Sequence, residues 1–201
     1  MNPSCNLFII GPTGAGKTSI GRRLAVHYGL PFVDLDQEIE RHCGVDVSTV
    51  FEIEGEAGFR QRESALLDEH SRRPGVLLAT GAGAVLAGHN RRHLTERGYV
   101  VWLQTSIEQQ LERLERDTRR PLLAGVDRHE RLQAMALARE PLYRELADLT
   151  VPGEHGGVAA ASERCIALID HHWNCNDGHR EHRGGQHSTD ANISQNLRSI
   201  C

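Results

Sequence analysis

The 201-residue sequence lacks several features that would assign the protein to other classes. Its apolar runs fall well short of the about 20 residues needed to cross a bilayer, so we expect no membrane partner. Its 23 basic and 27 acidic residues nearly balance, and a formal net charge of −4 gives no electrostatic reason to expect nucleic acid. The first residues, MNPSCNLF, contain no basic region followed by a long apolar stretch. We therefore expect no secretory signal and a cytoplasmic location.

The sequence also lacks a cysteine pattern typical of a metal or redox site. The five cysteines are Cys5, Cys43, Cys165, Cys175 and Cys201, and no C-x-x-C occurs among them. Their number is odd and their spacing is wide, so we expect reduced thiols that contribute to packing.

Alternation of short β-like runs with longer helical patterns predicts an α/β fold with a largely parallel sheet. Five strands are expected, over residues 7–10, 31–34, 76–80, 99–103 and 149–151. Helices are expected over residues 17–28, 36–42, 59–72, 90–96, 128–139 and 158–170. Ser48 reads as an earlier N-cap, before the helix over 59–72. Two further helices are expected, one capped by Thr105 or Ser106 and one after Pro141.

The length favours one domain, and composition marks where that domain ends. From His171 onward the chain is rich in His, Asn, Gly and Ser, with few apolar residues and no periodicity. We therefore predict a folded domain over 1–170 and a polar, disordered tail over 171–201. Within the domain, residues 116–128 combine helix breakers with arginines and are expected to form a mobile connection.

A glycine-rich segment follows the first predicted strand and precedes the first predicted helix. Residues Gly11 to Thr18, GPTGAGKT, fit the P-loop pattern G-x-x-x-x-G-K-[ST]. In that pattern backbone N–H groups cradle phosphates, Lys17 reaches the β- and γ-phosphates, and the Thr18 hydroxyl binds Mg²⁺. The motif predicts binding of a nucleoside triphosphate. It leaves open whether water, a protein partner or a second substrate responds to the terminal phosphate.

Two aspartates at the end of the second predicted strand are candidates for the site. Strand ends next to a P-loop open onto the ligand crevice of such a sheet, and alternation directs Asp34 and Asp36 to similar sides. One carboxylate is then available to the metal and the other to a substrate hydroxyl. The alternative is that both aspartates only cap a helix.

Arginine and phenylalanine side chains follow in GFRQRE. Arg60, at the start of a predicted helix, and Glu63 are three residues apart, so Glu63 can orient the guanidinium. A surface salt bridge is the alternative, and for this pair alone it is the more usual outcome. Phe51 and Phe59 are core candidates that also suit the wall of a pocket.

Two later segments offer groups for binding anions. Gly81, Ala82 and Gly83 follow the third predicted strand, where they form either a backbone N–H nest or simply a tight turn. Arg119, Arg120 and Arg139 lie in a region that reads as mobile. They suit closure over a transferring phosphoryl group, unless they are merely solvated.

Taken in order, these segments resemble the shikimate kinase family. The resemblance runs from about Leu7 to Ile169 and rests on GPTGAGKTSIGR, DLDQEIE, GEAGFRQRE, ATGAGAV, RRPLLAG and REPLY. It implies a P-loop, three-layer α/β/α fold with a five-stranded parallel sheet, a lid and a substrate-binding region. It also implies a monomeric enzyme that uses ATP to phosphorylate the 3-hydroxyl of shikimate.

The resemblance assigns roles to the motif residues. Those implied for ATP are Gly14, Ala15, Gly16, Lys17, Thr18, Ser19, Arg113 and Arg120. Those implied for Mg²⁺ are Thr18 and Asp34. Those implied for shikimate are Asp36, Arg60, Gly81, Ala82, Gly83, Arg139, Phe51 and Phe59. Lys17, Asp36 and Arg120 are implied for catalysis, with Asp36 as the base.

One position departs from the family. Ala82 stands where the family usually has the middle of three glycines. Alanine there costs roughly 1 kcal/mol or more if the position requires a positive φ, and otherwise only adds a methyl group near the substrate. The alternatives to a shikimate kinase are a P-loop kinase of another small metabolite, such as gluconate or a nucleoside monophosphate, and a nucleotide-binding protein without kinase activity.

Overall fold

The computed structural model describes residues 5–114, 127–153 and 157–173. The strands are β1 (Leu7–Ile10), β2 (Phe32–Asp34), β3 (Leu77–Ala79), β4 (Tyr99–Leu103) and β5 (Leu149–Val151). The α-helices are α1 (Lys17–Tyr28), α2 (Leu35–Cys43), α3 (Val47–Ser71), α4 (Gly88–Arg97), α5 (Ile107–Leu114), α6 (Arg128–Leu146) and α7 (Val158–His172). A short 3₁₀ helix, Ala84–Leu86, follows β3.

The five strands form one parallel sheet in the order β2-β3-β1-β4-β5. Because both faces of a parallel sheet are covered, its central strands are apolar, and all four residues of β1 are fully buried. Phe8 and Ile10 pack with residues of α2, α3, α4 and α6, whereas Leu7 and Ile9 pack with residues of α1 and α7. The predicted three-layer α/β/α fold is confirmed.

Helix α6 differs from the prediction, which divided it at Pro141. The helix continues through Pro141 to Leu146. Proline removes one N–H from the ladder, and the carbonyl left without it belongs to Leu137, four residues earlier. Leu137 is exposed, so water can take the place of the missing donor.

Helix α3 begins earlier than predicted and is capped by a different residue. The carboxylate of Asp46 accepts a hydrogen bond from the Thr49 N–H at 2.7 Å, so Asp46 and not Ser48 is the N-cap. The helix is kinked at Gly55, whose φ of 67° and ψ of −179° are accessible almost only to glycine. Phe51 lies before the kink and Arg60 after it. Arg60 is therefore in the second part of a long helix and not at a helix start.

At the carboxyl end, the folded part extends beyond the predicted boundary. Helix α7 continues to His172, and Trp173 is buried against the α1 and α7 side of the sheet. The remainder of the predicted tail, 174–201, lies outside the described residues.

Cys43 and Cys165 are free, as expected, whereas Cys5 is disulfide-bonded. Within the described ranges, no helix combines the length and the apolar character needed to cross a membrane.

Candidate active site

The P-loop connects β1 to α1, as predicted. Gly14 and Gly16 have left-handed backbone conformations, and Gly16 immediately precedes the first turn of α1. The loop therefore lies against the positive end of a helix, which favours phosphate. The half-buried Lys17 ammonium donates hydrogen bonds to the carbonyls of Gly11 and Pro12, at 2.8 Å each. It is thus held across the loop in this structure.

A cleft of about 430 Å³ opens beside the P-loop. It is lined by predicted site residues from four segments: Gly14 to Ser19, Asp34, Asp36 and Arg113. Arg113, in α5, donates a hydrogen bond to the Gly14 carbonyl at 3.0 Å, which places its guanidinium at the rim of the cleft. The structure thus brings the predicted nucleotide and metal residues that it describes, which leave out Arg120, into one cleft.

Thr18 and Asp34 provide the oxygen atoms expected of a magnesium site. The Thr18 hydroxyl donates to Asp34 Oδ2 at 2.5 Å, and both residues line the cleft. Among the described residues no group of three or more His, Cys, Asp or Glu side chains is placed to hold a metal. A single carboxylate with a hydroxyl still suits Mg²⁺, because this ion usually keeps several waters and binds substrate phosphates. These residues therefore fit the ion.

Strand alternation does not explain the positions of the two aspartates. Asp34 ends β2 and caps α2, accepting hydrogen bonds from the N–H groups of Asp36 and Gln37 at 3.1 and 3.3 Å. Asp36 lies in the first turn of α2, not on the strand. The helix start and not the pleat thus directs both side chains to the cleft. The capping alternative is correct for Asp34, but it does not exclude a second role.

Arg60 and Glu63 form a largely buried pair and not the surface salt bridge favoured for them in isolation. Their side chains are 21% and 0% exposed, and Arg60 Nη1 lies 2.7 Å from Glu63 Oε2. Burial raises the pKa of the Glu63 carboxyl, while the positive charge of Arg60 opposes that shift. Glu56 also contacts Arg60 from the solvent side, at 3.2 Å. The Arg60 guanidinium is therefore fixed between two carboxylates.

The turn after β3 packs directly on this pair. A Cβ at Gly81 would overlap the Glu63 carboxylate and lie 3.2 Å from Asp36 Oδ1, and a Cβ at Gly83 would overlap the Arg60 guanidinium. Neither glycine has a positive φ, so a larger residue at 81 or 83 would act by displacing the Glu63 carboxylate or the Arg60 guanidinium.

Ala82 is the second residue of this turn. Gly83 has φ −99° and ψ −3°, values typical of the third residue of a type I turn and also of a type II′ turn, and the Ala84 N–H bonds to the Gly81 carbonyl. Alanine favours the type I form, in which the second residue has a negative φ. The Ala82 side chain is half-buried, and its carbonyl accepts a hydrogen bond from the Tyr143 hydroxyl at 2.6 Å. The methyl group is therefore accommodated.

Arg139 is neither mobile nor solvated. It lies in α6 and is 8% exposed, close enough to Arg60 and Glu63 for their charges to act on it. Burial lowers the pKa of Arg139, and the nearby positive charge of Arg60 lowers it further. Arg139 also lines a second cavity, of about 300 Å³, beneath α6. Helix α6 thus brings this arginine to the Arg60–Glu63 pair.

The two phenylalanines are mutual packing partners. Their ring centroids lie 4.4 Å apart, with Phe59 buried and Phe51 half-buried in the core under α3. The Arg60 guanidinium carbon lies 5.3 Å from the centroid of the Phe59 ring. The core interpretation of these residues is correct, and Phe59 in addition supports Arg60.

Arg119, Arg120 and residues 116–126 of the predicted lid lie outside the described residues. Sequence reasoning also missed two features of this region: how deeply Glu63 is buried and the contact made by Tyr143. The i,i+3 spacing to Arg60 indicated Glu63, whereas Tyr143, although it ends the segment REPLY, was given no role.

Comparison with known proteins identifies the family. The family model described as shikimate kinase matches residues 13–170. A shikimate kinase of Actinobacillus succinogenes is 46% identical over 166 residues, covering 82% of this chain and 95% of that protein. One of Bordetella avium is 54% identical over 145 residues, covering 72% and 69%. The chain belongs to the shikimate kinase family.

A solved structure extends this result to the fold. The shikimate kinase from Acinetobacter baumannii in complex with shikimate matches with a TM-score of 0.81 at 42% identity. The match covers 85% of this chain and 95% of that one. The resemblance inferred from motif order is thereby confirmed, as are the P-loop fold and the assignment as a kinase.

Proposed function

We propose that this chain transfers the γ-phosphoryl group of ATP to the 3-hydroxyl of shikimate, giving shikimate 3-phosphate and ADP. The observation that carries the proposal is the group of charged residues around the Gly81–Gly83 turn. Arg60 and Glu63 pack on the turn, Asp36 approaches it, and Arg139 lies close to Arg60 and Glu63. A small hydroxylated carboxylate calls for planar cations at one end and a carboxylate at the other.

In the acceptor half of the site, Arg60 and Arg139 bind the substrate carboxylate, and the N–H groups of Gly81, Ala82 and Gly83 add backbone contacts. Phe51 and Phe59 limit the pocket on one side. Burial above all, and the nearby charge of Arg60 in addition, lower the pKa of Arg139, so its cation is held there at some cost. An anionic substrate reduces that cost. Placing two arginines close together is therefore unfavourable without substrate and favourable when an anion binds.

In the donor half, Gly14 to Ser19 cradle the phosphates and Arg113 lies against the adenine. Lys17 moves from the Gly11 and Pro12 carbonyls to the phosphates when ATP binds. Thr18 and Asp34 hold Mg²⁺, which supplies charge neutralisation on the phosphates. Arg120, in the proposed lid, adds a further cation to the transferring group.

The reaction forms a bond between the substrate oxygen and the γ-phosphorus and breaks the bond from that phosphorus to the β-phosphate oxygen. Asp36 accepts the proton of the attacking hydroxyl. Because phosphoryl transfer depends mainly on positioning and charge neutralisation, Lys17 and the arginines matter more than a strong base. We propose that the enzyme acts as a monomer in the cytoplasm.

An acceptor screen tests this function. ADP release is measured with ATP and Mg²⁺ in the presence of shikimate, quinate, gluconate or a nucleoside monophosphate, each against an acceptor-free control. We expect release that depends on shikimate. Release with gluconate or a nucleoside monophosphate alone would favour another P-loop kinase, and ATP binding without turnover on any acceptor would indicate a non-enzymatic protein.

A further inference from the structure

Tyr143 makes a buried contact between two parts of the acceptor site. Its side chain is 1% exposed, and its hydroxyl donates a hydrogen bond to the Ala82 carbonyl at 2.6 Å. The ring also packs against Trp102 of β4, with centroids 5.8 Å apart. The ring is therefore held by apolar packing, while the hydroxyl bonds the Ala82 carbonyl and lies within hydrogen-bonding reach of the Arg139 side chain.

The position of Tyr143 on α6 shows which parts of the acceptor site this contact connects. Arg139 is four residues earlier, which places the two side chains on one face of the helix. Ala82 lies between Gly81 and Gly83, which touch Glu63 and Arg60. The hydrogen bond therefore joins the helix that carries one carboxylate-binding arginine to the turn that contacts the other.

The tyrosine remains a donor under all ordinary conditions. Burial raises the pKa of the Tyr143 hydroxyl far above its usual range. The carbonyl of Ala82 can only accept, so the direction of the bond is fixed. Replacement of the middle glycine of this turn by alanine leaves the carbonyl, and hence the contact, in place.

We propose that Tyr143 is a positioning residue for the acceptor, which fixes the distance between Arg139 and the Gly81–Gly83 turn. This proposal rests on the proposed function, because it assumes that Arg139 and the turn bind the same carboxylate. Loss of the hydroxyl leaves both groups in place but lets their spacing vary, so the carboxylate is held less well. The nucleotide cleft contains none of these residues and is not affected.

The variant Tyr143→Phe keeps the ring on Trp102 and removes only the hydroxyl. We expect the KM for shikimate to rise about five- to tenfold, from the loss of about one buried hydrogen bond, with kcat and the KM for ATP within about twofold. The matched control is Tyr28→Phe. It removes a hydroxyl that bonds Asp170 at 3.0 Å between α1 and α7 on the other face of the sheet, and we expect neither KM to change.

A double-mutant cycle with Arg139→Lys separates positioning from general loosening of the fold. If Tyr143 acts through Arg139, its removal costs much less in the Arg139→Lys background than in the wild type. Additive effects would overturn the proposal, as would an unchanged KM for shikimate in Tyr143→Phe or an equal rise in both KM values.

The same measurements distinguish this proposal from the proposed function. An unchanged KM for shikimate in Arg139→Lys would refute the acceptor site and, with it, the role of Tyr143. A raised KM in Arg139→Lys with a normal one in Tyr143→Phe would refute the role of Tyr143 alone.

Discussion

At the scale of single residues, the Arg60 guanidinium depends on Glu63 for its position at the acceptor site. The fully buried Glu63 carboxylate contacts Arg60 at 2.7 Å, and its Oε1 atom has no hydrogen-bond partner among the described residues. Such an atom is costly in an ordinary core. The unpartnered oxygen lies next to Gly81 and Asp36, where we expect the substrate to bind.

Glu63→Gln is expected to destabilise the protein by about 2 kcal/mol. It leaves Arg60 without its buried partner, but Arg60 is 21% exposed, so the loss is smaller than for a fully buried pair. The KM for shikimate should rise as the guanidinium loses its fixed orientation. The measurements are urea-induced unfolding and steady-state kinetics.

The control variant for this prediction is Glu56→Gln, which removes the other, half-exposed carboxylate of the same arginine. We expect a change below about 0.5 kcal/mol. Similar losses in the two variants would mean that the buried position of Glu63 has no special importance.

Gly83→Ala should impair shikimate binding, because its Cβ would occupy the place of the Arg60 guanidinium. We expect a rise of about tenfold or more in the KM for shikimate and little change in that for ATP. Ala82→Gly is the matched variant one residue earlier, and there we expect both KM values within about twofold. A strong gain of shikimate affinity in Ala82→Gly would contradict the conclusion that the alanine is well accommodated.

At the scale of elements, Asp68 connects α3 to α4. Its carboxylate accepts hydrogen bonds from Arg72, the residue that follows α3, and from Arg97 at the end of α4, the latter at 2.8 Å. These bonds, that of Arg72 first, lower the pKa of Asp68 from 3.8 to about 2. The folded state thus favours the charged form. The contribution to stability is present above about pH 4 and is lost as the pH falls towards 2.

Asp68→Asn should therefore cost about 1 kcal/mol at pH 7, a value kept low because a third of the side chain is exposed. The difference from the wild type should narrow as the pH falls from about 4 to about 2, measured by denaturant unfolding at each pH. The neighbouring Glu69→Gln removes an exposed pair with Arg73 and should cost less than about 0.5 kcal/mol at pH 7. A difference for Asp68→Asn that is constant with pH would exclude the charge as its cause.

Element types were predictable from sequence because each β-like run and helical pattern is local. The errors lie where tertiary context decides. Pro141 locally predicts a helix break, yet α6 continues past it to Leu146. The kink at Gly55 joins two helical segments, for which the sequence predicted an N-cap at Ser48 and a helix over 59–72. Asp46 and Ser48 are both good caps, and only the path of the chain selects the first.

At the scale of the whole molecule, the location of the site could be predicted because its parts lie at the carboxyl ends of parallel strands. The P-loop follows β1, Asp34 ends β2 and the Gly81–Gly83 turn follows β3. The role of Arg139 in binding the substrate carboxylate was predicted only through the resemblance, since the residues alone placed it in a mobile region suited to closure over a phosphoryl group. Which residues Arg139 lies near depends on how α6 crosses the sheet, and no local sequence pattern predicts that crossing.

The extent of the folded unit leads to a last prediction, for Trp173. Its ring is 8% exposed and stacks on Tyr99 of β4 and edge-on to Tyr28 of α1, with centroids 6.0 and 5.5 Å apart. Trp173→Ala should cost about 3 kcal/mol, at the low end for a buried aromatic residue because Trp173 lies just after the end of α7.

Activity is the control for this prediction. Trp173 packs on the face of the sheet opposite Phe59 and Tyr143, so both KM values should stay within about twofold at temperatures where the variant is folded. The neighbouring His172→Ala, which changes an exposed side chain, should alter the free energy of unfolding by less than about 0.5 kcal/mol. An equally small effect of Trp173→Ala would place the end of the cooperative unit before this residue, where composition alone had put it.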